Sequence, residues 1–193
     1  MSRAKDLFLV GFFMVAVMYV FPDEAQSKER VCGFSSQELS FLMHANHEGS
    51  RYDLSAAAMG ILIVETHAGR YGPIGDEENG VGRRSYGPAQ IKLQTAEHIN
   101  DHSPRINLEY EHDYELINKL IDRPYVNITL MVEHLGWLRH EQNLSWRETL
   151  VAYNEGLSQL GHHDPETHTY ANEVADHVRD GKVACLYEKL LGD

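Results

Sequence analysis

The sequence predicts a single all-α domain, mainly helical α+β at most, with any sheet confined to one glycine-rich loop. Three observations carry that expectation. Capping boxes and helical periodicity recur along the chain, one stretch from Leu54 to Val64 is apolar on nearly every side, and glycines cluster only between Thr66 and Arg84. A length of 193 residues suits one domain plus a targeting segment, and 42% apolar with 24% charged residues is the composition of a folded chain. The net charge of -12 argues against nucleic acid, because phosphate neutralisation needs clustered Lys and Arg. A polyanionic partner would have to be recognised by a shaped groove rather than by bulk charge.

The first segment reads as an export signal. Arg3 and Lys5 precede a 15-residue apolar run, Leu7 to Phe21. That is short for a bilayer span, which needs about 20 residues, and right for a signal-peptide core. Cleavage after Ala25 would leave residues 26–193 as the domain; Asp23 suits the cleavage site badly, so an uncleaved anchor is the alternative. Contact with a membrane is expected only through this segment. Cys32 and Cys185 are the two cysteines, and in an exported protein an even pair reads as a disulfide, with two buried thiols as the other reading. A bridge between them would close a very long loop, adding about 4–5 kcal/mol at most on the chain-entropy model.

The helices follow in order. Ser35 with Glu38 forms a capping box that starts a helix near Ser36, running to about His47. Asp53 is placed to cap the next one, whose all-round apolar character marks it as a buried central helix. The stretch from Thr66 to Arg84 carries five glycines, Pro73 and the acidic run Asp76-Glu77-Glu78, and reads as a long loop with room for a short hairpin. Helical character returns from about Ala89 to Asn100 and from Tyr110 to Ile121. Pro124 suits the first turn of a helix whose Ile128, Met131, Leu135 and Leu138 share a face. Ser145 with Glu148 is a second capping box, for a helix reaching Tyr153, and a last helix is expected from about Pro165 to Arg179.

Glu65 is the most informative residue. With Leu54, Ala58 and Ile61 it follows helical spacing on one face of the central helix, which sets a carboxyl group where the core opens onto a loop. Removal from water disfavours the charged form, so its pKa is expected to rise, as a general acid requires.

Four segments in order resemble the catalytic domain of the soluble lytic transglycosylases, relatives of goose-type lysozyme. They are Ile63-Val64-Glu65-Thr66; Ser85-Tyr86-Gly87-Pro88-Ala89-Gln90-Ile91 with Thr95-Ala96; Ala152-Tyr153-Asn154-Glu155-Gly156; and Pro165-Glu166-Thr167-His168-Thr169-Tyr170 with Val174. The first is similar to the family's Glu-Ser at the end of a buried helix, the second to its Gly-Leu-Met-Gln-Ile, the third to Ala-Tyr-Asn-Ala-Gly and the fourth to Glu-Thr-x-x-Tyr. The resemblance spans roughly residues 53–178 and implies a lysozyme-like fold. It implies that Glu65 protonates a glycosidic oxygen and then acts as base. It also implies that Thr66, Ser85, Gly87, Gln90, Tyr153 and Asn154 line or bind the sugar, and that Tyr170 hydrogen-bonds near the acid. The substrate would be the glycan strands of peptidoglycan, cut between N-acetylmuramic acid and N-acetylglucosamine with a 1,6-anhydro product. Localisation would be periplasmic or secreted, with envelope-spanning machinery as a further partner class.

Three departures stand out: Thr66 replaces serine, Pro88 replaces leucine, and the loop between Glu65 and Gln90 is longer than the family's spacing. If Asp76, Glu77 or Glu78 reached the groove, a water-using lysozyme would result, since ordinary glycosidases use two carboxylates. A fold retained for glycan binding or scaffolding without activity is the reading from another class. No cofactor is expected. The histidine pairs His44/His47 and His98/His102, and the run His162-His163-Asp164, lack a zincin or cysteine set, so no metal is expected either. Asn127-Ile128-Thr129 and Asn143-Leu144-Ser145 fit a glycosylation sequon and are read as chance.

Overall fold

A computed structural model describes residues 30–72, 74–75 and 84–191. The expected export segment and the acidic run Asp76-Glu77-Glu78 lie outside the described residues. The architecture is mainly helical with one small sheet. Eight α-helices are described: α1 Ser36–Gly49, α2 Ser55–Thr66, α3 Leu93–His102, α4 Asp113–Asp122, α5 Pro124–Gly136, α6 Trp146–Glu155, α7 Thr169–Arg179 and α8 Lys182–Leu186. Three two-residue strands, β1 Ile74–Gly75, β2 Ser85–Tyr86 and β3 Ile91–Lys92, form an antiparallel sheet in that order. Ile74 faces Tyr86 and Ser85 faces Lys92 in the register.

Helix α2 is the centre of the core. Ala58, Met59, Ile61 and Leu62 are fully buried, as a helix apolar all round must be. It packs between α1 and α7. Gly60 lets α7 come close: a Cβ there would lie 2.9 Å from the Val174 Cγ1, so any larger residue would push that helix away. Both capping boxes form as expected. Ser35 accepts from the Glu38 N–H while its own N–H donates to the Glu38 carboxylate, and Ser145 and Glu148 repeat the arrangement.

Other boundaries differ from expectation for local reasons. Asp53 is not a cap: it sits in the left-handed region at φ 61°, and Leu54 precedes α2 without a side-chain cap. Helix α3 starts at Leu93 rather than Ala89, because Gly87 to Gln90 form a tight turn and Ile91–Lys92 join the sheet. Helix α4 starts at Asp113 rather than near Tyr110. Helix α7 starts at Thr169 rather than Pro165, since Asp164 organises a turn there, accepting from the N–H groups of Glu166 and Thr167. Helix α8 and the π-helical turn Tyr187–Leu191 were not expected.

Cys32 and Cys185 are joined in a disulfide, which ties the segment ahead of α1 to helix α8. Nearby, Arg70 donates to both oxygens of Glu38, at 2.6 and 3.0 Å, and to the Gly33 carbonyl. A second buried network surrounds Glu133, which accepts from Tyr52, Ser103 and Arg105, while Arg105 also reaches Glu48. That network ties α1, the end of α3 and α5 together through fully satisfied carboxylates, the condition under which buried charge is tolerated.

The Arg70 hydrogen bonds hold the Glu38 carboxyl down at about 2, against an ordinary 4.5. An unfolded chain takes its proton at this position near 4.5, so between 4.5 and 2 it binds more protons than the folded one. The stabilisation is therefore complete above that window and fades as pH falls through it. Glu38→Gln keeps the capping geometry and removes the charge. It should melt a few degrees below the parent at pH 7 and level with it at pH 2, as followed by circular dichroism.

Candidate active site

Glu65 projects from the last turn of α2, half-buried at the mouth of the core. The helix stops immediately after it because His67 and Ala68 both turn left-handed, at φ 55° and 60°, while their N–H groups close onto Ile63 and Leu62 carbonyls. The Tyr170 hydroxyl, from the first turn of α7, donates to Glu65 Oε1 at 2.6 Å. Burial, followed by the Glu65 charge, raises the Tyr170 hydroxyl well above the ordinary tyrosine value, so it stays a protonated donor at neutral pH. Tyr153, from α6, stacks against Tyr170 with ring centroids 6.5 Å apart and is raised in the same way, by burial first and Glu65 second.

Opposite the acid stands the turn Gly87 to Gln90, which links β2 to β3. Its polar backbone is held from three helices. Asn127 of α5 is fully buried; its amide donates to the Tyr86 carbonyl and its oxygen accepts from the Ala89 N–H, both at 2.8 Å. Thr66 of α2 donates to the Pro88 carbonyl at 2.6 Å and accepts from the Gly69 N–H. Tyr153 of α6 donates to the Ala89 carbonyl at 2.5 Å. Gly87 has φ +74°, and a Cβ on it would lie 2.4 Å from both the Asn127 side chain and the Leu120 carbonyl, so only glycine fits. Gln90, itself left-handed at φ 49°, folds its amide back onto the Gly87 carbonyl. Its Oε1 occupies the place where a Cβ on Gly75 would stand.

Between the acid and this turn lies a cleft of about 420 Å³ lined by Glu65, Gly75, Ser85, Gln90, Ile91, Lys92, Thr95, His134, Tyr153 and Asn154. Among the described residues Glu65 is the only carboxylate lining it. Asn154 is a junction, because it also lines two adjoining hollows of about 280 and 630 Å³. Tyr153 lines the cleft and the first hollow, Glu155 lines both hollows, and Tyr170 lines the second.

The structure thus brings together Glu65, Ser85, Gln90, Tyr153, Asn154 and Tyr170, drawn from α2, the sheet, α6 and α7. Two expected sugar contacts are displaced. Thr66 is buried with its hydroxyl committed to Pro88 and Gly69, and Gly87 is buried beneath the turn; both shape the cleft from below. Two participants were missed. Asn127 was read only as a chance sequon, and its polar ends are spent inside the protein. His134 was not singled out at all, although it lines the cleft and its adjoining hollow.

Asn127→Ala would leave two buried backbone groups of the turn without partners, each costing about 1–3 kcal/mol. We expect thermal unfolding to show a loss of that order, with hydrogen exchange rising first at Ala89. No family model, no curated protein and no solved structure matches the chain.

Proposed function

We propose that the protein is a peptidoglycan lytic transglycosylase that cleaves the β-1,4 bond between N-acetylmuramic acid and N-acetylglucosamine. The observation that carries the reading is Glu65, the one carboxylate among the described residues that line the cleft, gripped by the Tyr170 hydroxyl at 2.6 Å. In this mechanism Glu65 gives its proton to the glycosidic oxygen as the bond to the muramyl C1 breaks. The carboxylate then takes the proton of the substrate's own C6 hydroxyl as that oxygen attacks C1, closing the 1,6-anhydro ring. One acid–base group serves both half-reactions and no water is consumed, so the second carboxylate of ordinary glycosidases has no task here. The Tyr170 bond supports the scheme twice over: it fixes the carboxyl group's direction and it stabilises the anion left after proton delivery.

Gln90, Ser85 and Asn154 supply polar groups along the groove for sugar hydroxyl and amide groups. The reading includes export through the N-terminal apolar run and work in the periplasm or outside the cell, in keeping with the disulfide. It leaves room for local service to an envelope-spanning machine. One observation favours a second reading. The connection that carries Asp76, Glu77 and Glu78 departs from Gly75, a cleft-lining residue; if one of those carboxylates activates water, the enzyme is a hydrolytic lysozyme.

Digestion of purified peptidoglycan followed by mass spectrometry decides between these. Anhydro-ended fragments, one water lighter than reducing-ended ones, are expected; reducing ends alone would establish the lysozyme, and no fragments at all a glycan-binding or scaffold protein. Glu65→Gln should cut the rate by about 10³-fold, in the range general acid–base catalysis supplies. A variant as active as the parent overturns the assignment. Tyr170→Phe removes a hydrogen bond to a charged group, worth about 1.5–3 kcal/mol, and should lower kcat by about 10- to 100-fold with KM little changed.

A further inference from the structure

A further cavity, of about 360 Å³, shares no described residue with the cleft. It opens between the turn that follows α1, the end of α3 and the end of α5. Its floor is the Glu133 network, in which Tyr52, Ser103 and Arg105 all donate to one carboxylate. Tyr52 forms a wall and is fixed at both ends. Its hydroxyl is held by Glu133, and its ring lies against Gly136, where a Cβ would stand 2.8 to 2.9 Å from three ring carbons. His140 meets that ring with centroids 5.9 Å apart. Trp137, His140 and Glu141 come from a single π-helical turn, Trp137–Glu141, a winding that recurs at functional sites.

Around these aromatic faces stand polar groups with capacity to spare. Arg51 leans on Glu48 through its Nε, at 3.3 Å. The Trp137 indole N–H makes no hydrogen bond with any described residue, and neither does the Glu141 carboxylate. His102 and His140 each spend one ring nitrogen on a backbone carbonyl, of His98 and Tyr52 respectively, and keep the other. An ion of either sign meets its like in this lining: an anion meets Glu133 and Glu141, a cation meets Arg51. A purely apolar ligand would strip water from all of these groups and give nothing back.

An uncharged ring with apolar faces and a hydroxyl edge suits every wall, and a pyranose has that form. Its C–H faces would lie against Tyr52 and Trp137, while its hydroxyls donate to Glu141 and accept from Arg51 and the indole. We propose that this cavity is a non-catalytic saccharide site, which holds a glycan strand at a point outside the cleft. Its volume of about 360 Å³ falls in the range of about 300–1,000 Å³ that small-ligand sites occupy. Trp137 also lines the 280 Å³ hollow that adjoins the cleft, so the two attachment points are neighbours on the surface. A second attachment raises the local concentration of strand at the cleft without a new contact there. That strand-holding role rests on the transglycosylase reading; sugar binding in the cavity does not.

Binding is tested on full-length Glu65→Gln protein, which leaves glycan intact, by titration with tri-N-acetylchitotriose followed by amide NMR. Two sets of signals should move with separate saturation curves, one around Gln90, Tyr153 and Asn154, the other around Tyr52, His102 and His140. Arg51→Gln and His140→Ala, made separately on exposed side chains, should each weaken the second set by about fivefold and leave the first within about twofold. Signal dispersion confirms that each variant is folded. With Glu65 restored, the same substitutions should lower kcat/KM on long glycan strands by about tenfold and leave it within about twofold on a soluble tetrasaccharide fragment. Equal losses on the two substrates overturn the strand-holding role. Still signals around the cavity, one saturation curve that governs both sets, or a second set indifferent to both substitutions overturns the site itself. If the parent yields anhydro fragments while the cavity signals stay still, the saccharide site fails and the enzyme reading stands. If the cavity signals move while the parent yields no fragments, the reverse is true.

Discussion

The site depends on a constraint of polar chemistry: a tight turn of backbone, Gly87 to Gln90, is buried against three helices, and its carbonyl and N–H groups must all find partners away from water. Asn127 from α5, Thr66 from α2 and Tyr153 from α6 supply them. The turn therefore reads the positions of three helices at once. A shift in any one would break a buried hydrogen bond, and this couples the packing of the core to the width of the cleft. Thr66 is the clearest case, because the residue beside it is Glu65: the same turn of helix presents the acid and anchors the opposite wall.

Much of this was legible in the sequence where the chemistry is local. Capping boxes at Ser35/Glu38 and Ser145/Glu148 depend on residues three apart, and both form. The buried helix ending in Glu65 was legible because nothing but a core can receive a segment apolar on all sides. The disulfide followed from there being a single even pair of cysteines, Cys32 and Cys185. What failed was also physical. Gln90 adopts a left-handed conformation that propensity disfavours outside glycine, so the tight turn looked like the start of a helix. Asp53 has the right side chain for a cap, yet the chain enters α2 through a left-handed step that turns it away. Helix α8, five residues long, is below the length at which periodicity speaks.

The candidate site divides the same way. Glu65, Ser85, Gln90, Tyr153, Asn154 and Tyr170 come together as the ordered motifs implied. Thr66 and Gly87 sit beneath the surface they were expected to line, since a short hydroxyl and a missing Cβ are as useful under a turn as on it. Asn127 and His134 carry no local signal. Their importance comes from what α5 is packed against, which no spacing within α5 reveals.

The bond between Cys32 and Cys185 makes the chain covalently circular across a sequence separation of 153 residues. A single cut at any exposed position between them cannot release a fragment: both pieces stay tethered, and helices α1 and α8 remain attached to whatever lies on either side of the break. One nick therefore becomes a survivable event rather than a fatal one, for as long as the surroundings remain oxidising.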